Sequence, residues 1–317
     1  MPVSGIASYL VFFACVVLIL ALVTLGLNLQ WGFTGLFNAG VVGFYAIGGY
    51  THAILTAAPL PDHLGNFGWH WSLGLAGAMA VTALAAWLIG RITIRLRGDY
   101  LAISSFGIAV AIQLVTLNWA ELTGGPNGLT RLGKPLSEFF TTPAAFNGAY
   151  LVLLAGIVAL AYWGLERMLR SPWGRVLRAI REDEVAAVAL GKAAGRFRLE
   201  AFVIGSTLMG LAGALYVGFI GFVSPFDFLP ILTFQVWTML IVGGSGNNRG
   251  ALLGALVVWA IWTLSGIAVT KLLPPAHAAQ GAAVQVILIG LALVLMLLKR
   301  PRGLIGEEAV VSRHASG

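Results

Sequence analysis

The sequence predicts an all-α polytopic membrane protein of about nine transmembrane helices, within a range of eight to ten, some of them broken or re-entrant. Three observations predict it. Of 317 residues, 59% are hydrophobic and Gly supplies another 41, whereas soluble domains reach roughly 45–50% with Gly already included. Apolar runs of about 20 residues, enough to cross a hydrocarbon core of roughly 30 Å, recur along the whole length. Charge is sparse and gathered: of 19 basic and 12 acidic residues, 13 lie between Glu166 and Glu200.

Nine apolar segments follow in order, at approximately 5–29, 31–57, 71–90, 99–121, 146–166, 199–222, 229–243, 250–270 and 281–299. The first carries Cys15, the single cysteine, which implies neither a disulfide framework nor a metal site. No Lys or Arg precedes Arg91, so the first run lacks the basic flank of a cleaved signal peptide and is expected to be a retained span. The second, WGFTGLFNAGVVGFYAIGGYTHAIL, is rich in glycine and is expected to be interrupted. The seventh is short enough to be re-entrant. Residues 1–306 are read as one membrane domain and 307–317 as a disordered tail, with no repeat of 20–50 residues.

The basic residues orient the spans. Arg91, Arg95 and Arg97 lie between the third and fourth segments, and the charged stretch about 167–198 between the fifth and sixth. Arg249 lies between the seventh and eighth, and Lys299, Arg300 and Arg302 follow the ninth. With nine spans all four places share one side, which the positive-inside bias assigns to the cytoplasm. The N-terminus is then outside and the C-terminus inside. The pI near 9.9 is explained by the same bias, without nucleic acid.

Several function classes are disfavoured. No G-x-x-x-x-G-K-[ST] loop occurs, so the chain has no P-loop for ATP. VGGSGNNRGA at 242–251 lacks the Lys and reads as a tight turn between membrane helices. The spans hold essentially no ionisable residues away from their ends, which argues against an ion-coupled carrier. His52 and Glu121 sit near span ends and are expected to face water. His63 and His70 share a loop with Asp62, but neither these nor His277 and His314 have metal-ligand spacing. That loop reads as interfacial, anchored by Trp69 and Trp71. No catalytic, cofactor or metal site is predicted. Arg97-Gly98-Asp99 is read as a helix-terminating corner rather than an adhesion motif.

GRVLRAIREDEVAAVALGKAAGRFRLEAF, from Gly174 to Phe202, is too polar to span and predicts a helix from Trp173 to about Leu190 on the cytoplasmic membrane face. Ser171 suits its cap, Pro172 its first position and Gly191 its end. Trp173, Val176, Ile180, Ala187 and Leu190 fall on one side, with Arg175, Arg178 and Glu182 opposite. A solvated surface helix and a docking surface for a cytosolic partner both fit this pattern.

Several phrases are similar to one family. LRGDYLAISSFGIAVAIQLV at 96–115, LTGGPNGL at 122–129, GRVLRAIREDEVAAVALG at 174–191, GALYVGFIGFVSP at 213–225, IVGGSGNNRGALLGA at 241–255 and RPRGLIG at 300–306 resemble the LivM-type (LivH/LivM) branched-chain amino-acid ABC permeases in the same order. LNLQWGFTGLFNAGVVGFYAIGGY at 27–50 fits the family's N-terminal part. The resemblance implies a bacterial inner-membrane subunit that catalyses no covalent step. It would pair with a second homologous permease, two separate cytosolic ATPase subunits and a periplasmic solute-binding protein.

By position, Gly174, Arg175, Arg178, Arg181, Glu182, Asp183, Glu184 and Gly191 would form the ATPase-coupling element, with Val176, Ile180 and Leu190 holding it to the membrane domain. Gly124, Gly125, Pro126, Asn127 and Gly128 would shape an outer loop. Arg97, Gly98, Asp99 and Tyr100 would form an inner corner. The Asn pair in GNNRG has no reading.

For the pathway, the glycine-rich second segment offers Asn38 and Tyr45, with Gln113, Asn118 and Gln235 behind them. Each of these amides also fits a role as an interhelical tie. A stand-alone channel or facilitator for a small neutral solute, such as urea or a short amide, remains the alternative. Substrates in such families extend to urea, short amides and aromatic acids.

Overall fold

The computed structural model describes residues 3–59, 63–96, 99–130, 132–135, 140, 142–272, 278–300 and 302–307. Arg97, Gly98, Asp62, Arg131, His277, His314 and the tail 308–317 lie outside the described residues, so the expectations placed on them are not addressed below.

Among the described residues, twelve α-helices follow one another: α1 (Val3–Gln30), α2 (Val41–Thr56), α3 (Trp71–Thr93), α4 (Asp99–Asn118), α5 (Ala120–Thr123), α6 (Pro143–Arg170), α7 (Pro172–Glu182), α8 (Glu184–Ala189), α9 (Ala194–Ile220), α10 (Ile231–Gly243), α11 (Asn248–Leu272) and α12 (Ala278–Lys299). Among the described residues, α1, α3, α4, α6, α9 and α11 are long and apolar enough to cross a membrane, and α2 and α10 are shorter apolar helices. The chain is thus an all-helical polytopic protein. Its outward faces carry Val152, Leu160 and Ile103 exposed, as a hydrocarbon surround permits and water does not.

The core gathers around α9, which packs on α1, α2 and α3, while α10, α11 and α12 form a second group joined to α1. Small residues let backbones touch, as membrane helices require in place of a hydrophobic drive. A Cβ on Gly48 would overlap the Gly210 carbonyl, one on Gly213 the Tyr45 carbonyl, and one on Gly254 the Met239 carbonyl. These contacts fix α2 against α9 and α10 against α11.

The bundle has two distinct ends. At one, Leu129 and Val223 exchange backbone hydrogen bonds of 2.9 and 3.1 Å, and the Leu64 amide donates to the Glu121 carbonyl at 2.8 Å. Gly124, Gly125 and Gly128 there all have positive φ, which only Gly adopts without strain, and this accounts for the Gly-Gly-Pro-Asn-Gly phrase. At the other end the turn after α1, the α6–α7 junction, the α10–α11 turn and residues 302–307 meet.

The interruption expected in the second segment is located, and two other expectations change. The second apolar segment is helical only from Val41; residues 31–34 turn and 35–40 have no regular structure. The single helix expected from Trp173 to Leu190 is two, broken at Asp183. His52 was expected to face water but is fully buried between α2 and α3, against Gly74, because α2 lies inside the bundle rather than at its rim. Glu121 is exposed, as expected.

We expect Gly48→Ala to lower the thermal midpoint of the detergent-solubilised protein, by an overpacking cost of about 1–3 kcal/mol. Gly156→Ala, where a Cβ meets nothing within 4 Å, should leave the midpoint unchanged or raise it. Equal midpoints for the two variants would contradict the close α2–α9 crossing.

Candidate functional site

The charged segment starts where α6 ends. The Ser171 hydroxyl accepts from the Trp173 amide at 3.2 Å, and Pro172 occupies the first turn. Gly174 is buried against the Leu169 backbone, with no room for a Cβ. At Asp183 the backbone turns extended (φ −150°, ψ 101°) and its side chain caps α8 by accepting from the Ala186 amide at 2.9 Å. The Gly191 amide donates to the Val188 carbonyl and the Lys192 amide to the Ala187 carbonyl, with Gly191 left-handed at φ 78°. These paired bonds close the helix end.

The break resets the helical phase. Ile180 and Ala187 are buried with Ala194, and Val176 is half-buried against them. Leu190, expected to hold the helix to the membrane domain, is instead 80% exposed. A periodicity counted from Trp173 does not carry through a non-helical residue. Val185 and Val188 are exposed beside it, an apolar tip that sequence reasoning missed.

The charged residues divide into two sets. Arg175, Glu182 and Asp183 are exposed. The others tie the segment inward: Arg178 Nη2 donates to the Leu169 carbonyl at 3.1 Å, and Arg198 Nη1 pairs with Glu184 Oε2 at 3.0 Å. Trp173 Nε1 donates to Glu200 Oε2 at 2.9 Å. Arg181 is the hub: it donates to the Gly32 carbonyl, to Glu182 Oε1 at 2.7 Å and to Glu307 Oε2 at 2.9 Å. Partial burial works against its charge, but the bonds from Glu182 and Glu307 outweigh that and hold its pKa above the ordinary value.

Side chains from within the bundle tie the link between α1 and α2. Gln30 Nε2 donates to the Phe202 carbonyl at 2.8 Å and to Ser206 Oγ at 3.0 Å, while Gln30 Oε1 accepts from Asn38 Nδ2 at 2.8 Å. Asn38 Oδ1 accepts from the Gly40 amide at 2.7 Å, and its carbonyl accepts from Trp237 Nε1 at 3.0 Å. The Ala39 amide donates to Ser105 Oγ and the Val42 amide to Thr233 Oγ1. Gln30, Ser105, Thr233 and Trp237 were not singled out from sequence, although a Gln or Trp polar atom deep in apolar surroundings signals such a duty.

The remaining pathway candidates separate. Tyr45 is buried, its ring against Tyr216 and Phe228, and Gln235 is buried on α10. Gln113 is half-buried on α4, and Asn118 is exposed there, donating to the Leu114 carbonyl at 2.8 Å. The structure ties Asn38 to α10 through Trp237 and sets Tyr45 against α9 and Phe228, while Gln113 and Asn118 lie on α4.

The Asn pair now has a role. Asn248 Oδ1 accepts from Asn28 Nδ2 at 2.9 Å, and its Nδ2 donates to Glu166 Oε1 at 3.1 Å, joining α11, α1 and α6. Asn247 Oδ1 accepts from the Arg249 amide at 2.9 Å, and its Nδ2 donates to the Gly306 carbonyl at 3.1 Å. The Leu304 and Ile305 amides donate to the Val242 and Gly243 carbonyls, both at 2.9 Å. A cleft of about 220 Å³ beneath this turn is lined by Arg170, Arg178, Arg249 and Glu307 among others.

A bundle of close-packed apolar helices with a charged segment bolted to one end is the build of a polytopic membrane protein. Residues 9–297 match the family described as the branched-chain amino acid transport system / permease component, and the chain belongs to that family. It is 34% identical over 314 residues to the high-affinity branched-chain amino acid transport system permease protein LivM of Escherichia coli (strain K12), covering 92% of this chain and 69% of that protein. It is 27% identical to the probable LivM permease of Methanocaldococcus jannaschii, over 92% of this chain and 91% of that one. Identity to the LivH permease of Escherichia coli (strain K12) is 25%, with 92% of each chain covered. No solved structure gives a significant match.

Replacing Arg181 by Gln should free residues 302–307, since charge-assisted hydrogen bonds of this kind contribute about 1.5–3 kcal/mol each. Amide hydrogen exchange at Leu304 and Ile305 is expected to quicken at least about tenfold, a change of roughly 1.4 kcal/mol. Glu182→Gln, which removes only an exposed partner, should leave it unaltered.

Proposed function

We propose that the chain is one of two permease subunits in an ATP-driven importer of branched-chain or related amino acids. In this reading a second homologous permease completes the pathway, two cytosolic ATPases dock below, and a periplasmic binding protein delivers substrate above. The chain lies in a bacterial inner membrane and hydrolyses no ATP itself. The observation that carries the reading is the charged segment. It is tied to α6, α9 and the C-terminal residues by Arg178, Glu184 and Arg181, yet presents Arg175, Glu182, Asp183, Val185 and Leu190 outward.

Such a surface suits a partner. An exposed apolar tip with a charged rim is the usual composition of a docking patch, and paired charges at the rim give specificity. The inward ties would carry a push on α7 and α8 to the Gly32 carbonyl, and so to the link that positions α2.

Nine crossings, by α1, α2, α3, α4, α6, α9, α10, α11 and α12, are part of the proposal. Contacts support it, because Gly32, Glu166, Arg181, Asn248 and Glu307 share one end. Leu64, Glu121, Leu129 and Val223 share the other. The gathering of basic residues at the first end supports a cytoplasmic location for it by the positive-inside bias, with the N-terminus outside.

In vesicles holding this chain alone, no uptake of leucine is expected. Adding the sister permease, the ATPases and the binding protein should restore uptake that requires ATP. Uptake by the lone chain would favour the channel reading instead. Within the complex, the charge reversals Arg175→Glu and Glu182→Lys should weaken co-purification of the ATPases without altering membrane insertion. Retention of the ATPases at wild-type levels would leave only a solvated helix.

A further inference from the structure

The cleft of about 220 Å³ at the charged end is lined by Glu166 and Arg170 of α6, Arg178 of α7, Arg249 of α11 and Glu307. Glu307 is answered from outside the lining by Arg181 at 2.9 Å, so three guanidiniums share the cleft with the one carboxylate of Glu166. Each guanidinium carries five N–H donors. Arg178 directs one at the Leu169 carbonyl at 3.1 Å, and Arg249 one at the Tyr162 hydroxyl at 3.4 Å. The depth of these groups follows from α6. Val152, Leu160 and Trp163 are exposed along it, and the Arg167 guanidinium lies over the Trp163 ring, 5.6 Å from its centroid. An exposed Trp paired with Arg near the end of an apolar helix marks the membrane interface. Arg170 Nε reaches back to Glu166 Oε2 at 3.3 Å, which lies about 4.5 Å past Trp163 at 1.5 Å per residue. The headgroup layer is roughly 5–8 Å deep on each side. The cleft therefore stands at headgroup level.

We propose that this cleft binds the phosphate of an anionic phospholipid of the cytoplasmic leaflet, drawing α6, α7 and α11 together beside the charged segment. The choice of leaflet rests on the orientation proposed above; the chemistry of the cleft does not. Guanidinium forks match phosphate oxygens in pairs, and basic pockets between membrane helices on the cytoplasmic side recognise anionic headgroups. The volume is below the roughly 300–1,000 Å³ usual for a whole small ligand, so it suits one end of a larger molecule. The direction of approach favours lipid over an acidic cytosolic protein. At 100° per residue, Arg170 falls on the same face of α6 as the exposed Trp163, so this wall of the cleft turns to the hydrocarbon side. Acyl chains then have Leu160 of α6 and Leu256 of α11, both exposed, to lie against.

The test places the full chain in nanodiscs of phosphatidylcholine doped with a phosphatidylglycerol that carries a diazirine in its headgroup. Label is expected on peptides from 163–170 and 246–249, and excess unlabelled phosphatidylglycerol should remove it. Arg170→Gln with Arg249→Gln, both exposed side chains, should lower that labelling at least about tenfold. Lys299→Gln with Arg300→Gln removes the same charge from exposed positions outside the cleft and should leave labelling at the wild-type level. Label spread evenly over the helix ends of the wild-type chain overturns the proposal, whatever the variants do. Equal losses in the two double variants also overturn it, since they would report only the general surface potential. Displacement by inorganic phosphate as effective as that by phosphatidylglycerol would assign the cleft to a free anion. Loss of the label when the ATPases join the assembled complex would assign it to them; either result defeats the lipid assignment. Both leaflets of the nanodisc are alike and no transport is measured, so labelling stands or falls apart from the importer reading. A complex that moves no leucine defeats that reading and leaves the cleft's lipid in place.

Discussion

A helix that stops inside an apolar bundle leaves amides and carbonyls that hydrocarbon cannot satisfy, and the structure is organised around meeting that need at residues 31–40. Gln30 and Asn38 do most of it. Their two amide side chains bond each other, the Phe202 carbonyl, Ser206 and the Gly40 amide. Because their partners sit on α9 and in the link, and Trp237 of α10 reaches the Asn38 carbonyl, satisfying the break also fixes where three helices stand. Each group left unpaired there would cost several kcal/mol in lipid, so the network holds as a unit. The close glycine crossing of α2 on α9 depends on it, since α2 enters the bundle at the height that the link sets.

The same logic governs the charged end. Arg181 lies on the polar segment, but its bonds run to the turn after α1 and to Glu307 near the end of the described chain. Asn247 and Asn248 add ties from the α10–α11 turn to Gly306, α1 and α6. Four stretches far apart in sequence thereby become one rigid cap. A force applied to α7 would meet the interrupted helix through a guanidinium and one carbonyl, without passing through a flexible loop.

Much of the fold was legible because the bilayer imposes a strong and simple rule: long apolar runs become helices. Segments near 5–29, 71–90, 146–166 and 199–222 were readable for that reason, and the short seventh run reappears as the short helix α10. The start of α7 was readable from Ser171 and Pro172, and the end of α8 from Gly191, since these caps are local chemistry. The phase of the segment was not. Asp183 satisfies an amide three residues on, and that one bond turns Leu190 outward. Nor could sequence position tell His52, which is buried, from Glu121, which is exposed, because both lie near the ends of apolar runs and only packing separates them.

The candidate site divides along the same line. By itself the sequence determined the class of protein, the place where charge gathers and the glycines that allow close helix contact, because hydropathy, helix capping and the absence of a Cβ act within a few residues. Tertiary structure alone decided which charges face outward and which are ties. It also decided that Asn248 joins three helices. Those outcomes depend on which atoms from distant segments come within about 3 Å, the reach of a hydrogen bond, and no local pattern encodes that.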